Sequence, residues 1–316
     1  DAGRRVKGGD VVHVHPHART PQPTAADIEL LYWDDDLVVV VKPALMTTLR
    51  HREERHWSAA RKNLQPTLDE LLPRVLQAAE TGSGGRSTTR PREARRAGQR
   101  GPGHRHGARQ NRRPLPAVRA VHRLDRDTSG VMVFARHPTA ERQLIEQFKV
   151  HSMERVYRAV VLGHPAAQTV QTRLIRDRGD GLRGSLPATA TAEQLADSEE
   201  AITHIAPLED LGACSLVECR LETGRTHQIR IHLSELGSPV CGDPLYTRSR
   251  SGELVEDRSG APRLALHAFR LAFRHPRTGD WLQFSGSGAV CASIAQVRVE
   301  RLILPFSTSS YLPRGE

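Results

Sequence analysis

His122-Arg123-Leu124-Asp125-Arg126-Asp127-Thr128-Ser129-Gly130 is the densest run of reactive groups in the chain. It follows an apolar lead-in over 117–121 and brings carboxylates, cations, hydroxyls and a glycine together, the make-up of a functional loop at a strand end. A carboxylate flanked by arginines is favoured in its charged form, because an opposite charge within ~4–6 Å stabilises the anion. Held beside a substrate, Asp125 would suit a nucleophile or a base. The competing reading is a surface turn with local Arg–Asp pairs, each worth ~0–1 kcal/mol. A phosphatase-like D-x-D-x-T pattern is matched by Asp125, Asp127 and Thr128 but is weak. His122 and Arg123 interrupt the apolar strand it needs, and no downstream acidic pair stands out to hold Mg²⁺.

A second segment lies about a hundred residues on: Leu221-Glu222-Thr223-Gly224-Arg225-Thr226-His227-Gln228-Ile229-Arg230-Ile231-His232-Leu233. The spacing predicts a helix over 226–236, closed by Gly237. Arg230 then lies one turn past Thr226, on the side where the Gly224 turn points. His227 and His232 are five apart and would not share a face, which argues against a metal pair. By spacing alone the segment is a donor-rich helix suited to phosphate or RNA, or simply a solvated helix start.

Composition bounds the rest. The 316 residues carry a net charge of +10, with 38% hydrophobic and 26% charged residues, as in a globular chain of one large or two modest domains. Aromatics at 4% argue against a surface built on rows of stacked rings. The longest apolar runs, Leu37–Val41 among them, are far short of the ~20 residues of a membrane helix. The first residues carry no signal-peptide core, and Cys214, Cys219, Cys241 and Cys291 form no C-x-x-C pair. The thiols therefore read as buried or incidental in a reducing cytoplasm.

Residues 81–120 hold eleven Arg, no Lys and one acid, Glu93, so this stretch accounts for the whole net charge. Rich in Gly and Pro and nearly free of apolar residues, 81–117 reads as a disordered basic insertion. It is either a phosphate-binding tether or a tolerated low-complexity loop, and the second is preferred. A Walker loop at Gly82–Ser87 is dismissed because no Gly-Lys-Ser/Thr follows.

Elsewhere the patterns predict strands at 10–15, 28–33, 37–42, 156–162, 214–221, 264–273 and 281–284. Helices are predicted at 67–79, with Thr67 and Glu70 as a capping box and Pro73 inside it, and at 140–148. Asp34-Asp35-Asp36 between two apolar runs reads as a hairpin turn in preference to a metal site. Strands outnumber helices and are often joined by short turns, so the class is α+β with a largely antiparallel sheet in preference to a doubly wound one.

Taken together, the segments resemble the RluA family of RNA pseudouridine synthases. The matches fall in the family's order: Lys42-Pro43-Ala44, His122 to Gly130, Arg155-Val156-Tyr157-Arg158-Ala159-Val160, and Thr223 to Leu233. They continue with Gly237-x-Pro239, Gly242-Asp243-x-x-Tyr246, Leu266-His267-Ala268 and His275-Pro276. The resemblance implies the pseudouridine synthase fold and the isomerisation of specific uridines in structured RNA by base flipping. Large-subunit ribosomal RNA is expected ahead of transfer RNA, in a monomer with no membrane association. It implies Asp125 as the essential carboxylate, Tyr157 as the tyrosine against the target base, and Arg230 as the arginine that pairs with the aspartate. His122, Arg123, Thr128, Arg225, His227 and Ile231 are expected to contact substrate or RNA, Arg123 filling the space of the extruded nucleotide and Ile231 packing in the pocket. Because the isomerisation gains no atom and moves no electron to an acceptor, no cofactor or metal is expected.

Two departures stand out. Leu45 follows Ala44 where the family usually has Gly, which predicts a different turn there. Arg155 stands where Lys is common. The resemblance divides the chain into a catalytic domain over 20–80 and 118–316, the insertion 81–117, and a remnant of an N-terminal RNA-binding domain plus linker at 1–19, implying a truncated start. A non-catalytic RNA-binding or ribosome-assembly protein on the same fold is the alternative.

Overall fold

The run Leu37–Val41 shows no polar alternation, the signature of a strand buried on both faces. In the computed structural model, which describes residues 22–82 and 114–286, every residue of that strand is buried. The strand predicted at 10–15, the segment 1–19, most of the basic insertion and Cys291 lie outside the described residues.

In chain order the elements are β1 (Glu29–Trp33), β2 (Leu37–Lys42), α1 (Ala59–Leu64), α2 (Leu68–Gly82), β3 (Arg119–Ala120), β4 (Ser129–Ala135), α3 (Pro138–Lys149) and β5 (Glu154–Leu162). There follow β6 (Gln168–Ile175), β7 (Gly184–Ser185), α4 (Ala192–Ala196), β8 (Glu199–Asp210), β9 (Cys214–Leu221), α5 (Gln228–Glu235), β10 (Leu266–Arg274) and β11 (Trp281–Ser285). The strands form one sheet in the order β1-β2-β4-β10-β5-β9-β8-β6-β7, with β11 added on β10 and β3 on β4. All pairings are antiparallel except β4 with β10. The segments on either side of the insertion therefore share one sheet, and the expected α+β, largely antiparallel class is what the chain adopts.

Helices cover both faces of the β1-β2-β4 region. On one face Leu68, Leu72 and Leu76 of α2 pack on Val38, Val40, Met132 and Phe134. On the other, Ala140 and Leu144 of α3 pack on Leu37, Val39, Val131 and Val133. Each fully buried Leu of α2 contributes ~1.5–3 kcal/mol of apolar burial, which is how the helix tolerates Pro73 and its lost backbone bond. Its start keeps half of the expected capping box. Glu70 accepts the Thr67 N–H at 3.3 Å, while the Thr67 hydroxyl donates to Asp69. A third apolar layer, Ile229 and Leu233 of α5, rests on Ala159, Val217 and Cys219 of the central strands and fixes the helix that carries Arg230.

The three acids at 34–36 form the hairpin turn. Asp34 Oδ1 accepts the N–H groups of Asp36 (2.8 Å) and Leu37 (2.9 Å), and Oδ2 accepts from His275 Nε2 at 2.8 Å. Asp36 accepts from His137 and Arg277, so the carboxylates tie the β1–β2 turn to the β4–α3 junction and the β10–β11 turn. β6 and β8 did not stand out in the sequence, because much of each is exposed and polar residues interrupt the apolar pattern. Among the described residues no helix is long and apolar enough to cross a membrane.

Candidate active site

Beyond the start of β4, the 122–128 loop needs a rigid base. Gly130 supplies it: at φ 128°, a Cβ there would collide with the backbone of Ala268, so only glycine lets β4 come this close to β10. A second loop, 43–48, then pins the first. The Thr48 hydroxyl donates to the Leu124 carbonyl at 2.8 Å and accepts its N–H at 3.2 Å. Lys42, fully buried at the end of β2, donates to the carbonyls of Pro43 (2.9 Å), Met46 (2.8 Å) and Arg126 (3.1 Å). Burial pushes its ammonium down to about 7, with Asp125 and Asp127 pulling the other way. Both neighbours of Asp125 are thus anchored through their backbones, and the Thr128 N–H closes the turn on the Asp125 carbonyl at 3.2 Å.

At Leu45, where a different turn is expected, the backbone takes the left-handed geometry that glycine favours, at φ 65°. The hydrogen bonds from Lys42 to the Pro43 and Met46 carbonyls on either side hold that conformation on a side chain that disfavours it.

The opposite wall is the β9–α5 turn. Its hub is Gln228, buried, whose Oε1 accepts from Thr223 Oγ1 (2.8 Å) and the Arg225 N–H (2.9 Å). Its Nε2 donates to the Ile202 carbonyl and Thr203 Oγ1, both at 2.9 Å. The helix expected from Thr226 begins only at Gln228, because the turn wound around that amide ends in His227 at φ 61°, which no α-helical residue adopts. Arg155 of β5 donates to the Glu222 carbonyl at 2.5 Å and fastens the turn to the strand that bears Tyr157.

Between these walls lies a cavity of about 560 Å³ in which Asp125, Tyr157 and Arg230 meet. Arg230 is 3% exposed; its Nε and Nη2 each lie 2.7 Å from an oxygen of Asp243, whose side chain is fully buried. Its third nitrogen, Nη1, stands 3.9 Å from Asp125 Oδ2. The arginine expected to pair with Asp125 therefore makes its close pair with Asp243 and offers Asp125 only its remaining corner. Tyr157 is held by burial at about 12, so its phenol is neutral across the physiological range.

Of the other expected contacts, His122, Arg123, Thr128, Arg225 and His227 line the cavity. His122 accepts the Val133 N–H at Nε2 (3.1 Å) and stacks on Phe148; burial, with Arg155 adding, pushes it down to about 3. Arg225 is engaged with Glu199 and the Glu200 carbonyl. Ile231, expected in the pocket, is fully buried in a cluster with Leu174, Ala201 and Tyr246, behind the cavity wall. Sequence reading assigned no role to Lys42, Thr48, Gln228, Asp243 or Tyr246. The available signals were a lone cation ending an otherwise apolar strand and the Gly242-Asp243-x-x-Tyr246 block.

The arrangement presents one partly exposed carboxylate, 23% accessible, beside a neutral phenol and a locked guanidinium in a space of nucleoside size. Such a site suits attack by, or proton transfer to, a single carboxylate on a substrate of that size.

Comparison with known proteins agrees. The family model described as RNA pseudouridylate synthase matches residues 105–235. An RNA pseudouridine synthase of Chlorobaculum parvum is 33% identical over 301 residues, 89% of this chain and 78% of the relative. The ribosomal large subunit pseudouridine synthase D of Neisseria meningitidis is 32% identical over 272 residues, 84% of this chain and 59% of that protein. The chain spans about half to three-fifths of the length of several curated relatives it matches, 48% and 59% in two cases. Among solved structures, human RNA pseudouridylate synthase domain containing 4 superposes with a TM-score of 0.58 at 20% identity, covering 86% of this chain and 94% of that one, which establishes the shared fold. On the strength of the likeness to the Chlorobaculum protein, the chain belongs to the RluA family of RNA pseudouridine synthases.

Proposed function

We propose that this protein converts uridine to pseudouridine in structured RNA, with Asp125 as the essential carboxylate and large-subunit ribosomal RNA as its substrate. The observation that carries the reading is Asp125 lining a nucleoside-sized cavity, 3.9 Å from a buried arginine that a second carboxylate holds in place. The substrate class is supported by relatives named as ribosomal large subunit synthases.

The reaction breaks N1–C1′ and forms C5–C1′; C5 loses a proton and N1 gains one. Asp125 supplies the anionic oxygen that assists cleavage, at the sugar or at the base. Tyr157 lies against the ring as a neutral phenol, and Arg230, already paired with Asp243, turns its remaining N–H corner toward Asp125. A cavity of about 560 Å³ accepts one nucleoside and not a duplex, so the uridine is read flipped out of its stack, at an unstacking cost of a few kcal/mol. Looped or bulged uridines are the easier targets.

The test is tritium release from in vitro transcribed large-subunit ribosomal RNA carrying [5-³H]uridine. Wild type should release tritium, and Asp125→Asn should bind the same RNA and melt normally while releasing none. RNA binding without release by the wild type would establish a binding module and overturn the reading.

A further inference from the structure

We propose that His227 is a positioning residue for Asp125: Tyr246 holds its imidazole as the Nε2–H tautomer and so aims an N–H donor at one oxygen of the carboxylate. The proposal rests on the reading of Asp125 as the reactive group.

The backbone begins the argument. His227 is one of three non-glycine residues with positive φ among the described residues, and it stands directly before α5 without capping it. A left-handed conformation at a β-unbranched residue costs on the order of 1 kcal/mol and is retained where surrounding contacts demand it. Here it swings the ring away from the helix and into the cavity. There Nδ1 lies 2.8 Å from Tyr246 Oη, and the two rings meet edge to face, 5.4 Å apart.

Tyr246 settles the tautomer. It is 1% exposed, and its hydroxyl makes its one hydrogen bond among the described residues to His227 Nδ1. If Nδ1 carried the proton, the phenolic hydrogen would be buried without an acceptor, an arrangement native structures avoid. The phenol therefore donates, Nδ1 accepts, and the imidazole proton sits on Nε2.

That nitrogen is 3.8 Å from Asp125 Oδ2, the same oxygen that Arg230 Nη1 approaches at 3.9 Å. Two donors from one helix start thus converge on Oδ2 and leave Oδ1 for the substrate. Both distances exceed a formed hydrogen bond, and catalytic contacts of this kind tighten when substrate fills the site. Burial keeps the imidazole neutral, below its ordinary value. Of the charges facing it, Asp125 and Asp243 oppose that shift and Arg230 and Arg183 add to it.

Two readouts test this. In the wild type, two-bond ¹H–¹⁵N NMR should show His227 as the Nε2–H tautomer, and Tyr246→Phe should abolish that preference. In the kcat profile of tritium release at saturating RNA, which reports the substrate-bound site, His227→Ala should move the acid limb upward by about half to one pH unit. His227→Gln, which restores an N–H donor, should bring it back, whereas a purely structural role would lower the rate without moving the limb. An Nδ1–H tautomer, or an acid limb unmoved in His227→Ala, overturns the proposal while leaving the synthase reading intact. A wild type that releases no tritium overturns that reading and this role with it.

Discussion

Arg230 gives two of its nitrogens to Asp243, each at 2.7 Å, and keeps one, Nη1, for Asp125 at 3.9 Å. The fork is planar, so fixing two corners fixes the third. Asp243 does more than neutralise the arginine: its Oδ1 also accepts the N–H groups of Leu245 (2.9 Å) and Tyr246 (3.0 Å). One buried carboxylate therefore places both the guanidinium and the tyrosine that stand behind the site.

Removing that carboxylate strands a buried cation. Asp243→Ala should destabilise the protein by about 3–5 kcal/mol, since breaking one side of a buried pair leaves the other uncompensated. Urea unfolding measures it. A loss below 1 kcal/mol would mean that water reaches Arg230. The milder Asp243→Asn, which keeps an acceptor for the turn, should lower kcat with little effect on KM.

Lys42 Nζ donates to three carbonyls, two in the 43–48 loop and one in the loop that carries Asp125. Lys42→Met has nearly the right shape but donates nothing, leaving those carbonyls unpaired at about 1–3 kcal/mol for each that water cannot reach. The expected result is a protein that folds with a lower Tm and loses most of its activity, because the Arg126 carbonyl is freed. Full activity at a reduced Tm would show that the loop does not depend on this tie.

Gln228 satisfies the β9–α5 turn with a single amide. Gln228→Ala removes four hydrogen bonds at once and should cost about 2–4 kcal/mol. Hydrogen exchange should locate the loss, with faster exchange at Ile202, which donates to Thr223 Oγ1, and at Arg225. Uniform exchange across the sheet would argue against a local hub.

The buried histidines set the acid limit of stability. His232 and His267 are fully buried and pushed by burial down to about 4, from an ordinary 6.5. Below 6.5 the unfolded chain takes up protons that the folded chain refuses until about 4, so stability is intact above that window and falls as pH drops through it. The slope is about 1 kcal/mol per pH unit for each histidine. Urea midpoints between pH 7.5 and 5 measure it, and His267→Asn should remove one share. Midpoints that stay flat over that range would mean the rings are charged when folded.

The sequence alone determined the class of fold, the order of the motifs and Asp125 as a candidate reactive group, whereas Tyr157 and Arg230 stand out only through the resemblance to the family. The former are carried by local pattern: apolar runs set strands, turn residues set hairpins, and reactive residue types cluster at strand ends. The two-sided burial of Leu37–Val41 was equally plain, since a strand without alternation has no face for water.

Only the tertiary structure decided who holds whom. Arg230 and Asp243 are thirteen residues apart and Lys42 and Arg126 eighty-four apart, and no periodicity links such pairs. The late start of α5 and the retreat of Ile231 behind the cavity wall follow from contacts with other elements that override local preference. Hydrogen-bond geometry is decided over a few ångströms in space. A chain can say which donors and acceptors it owns, but their pairing waits until the sheet has closed.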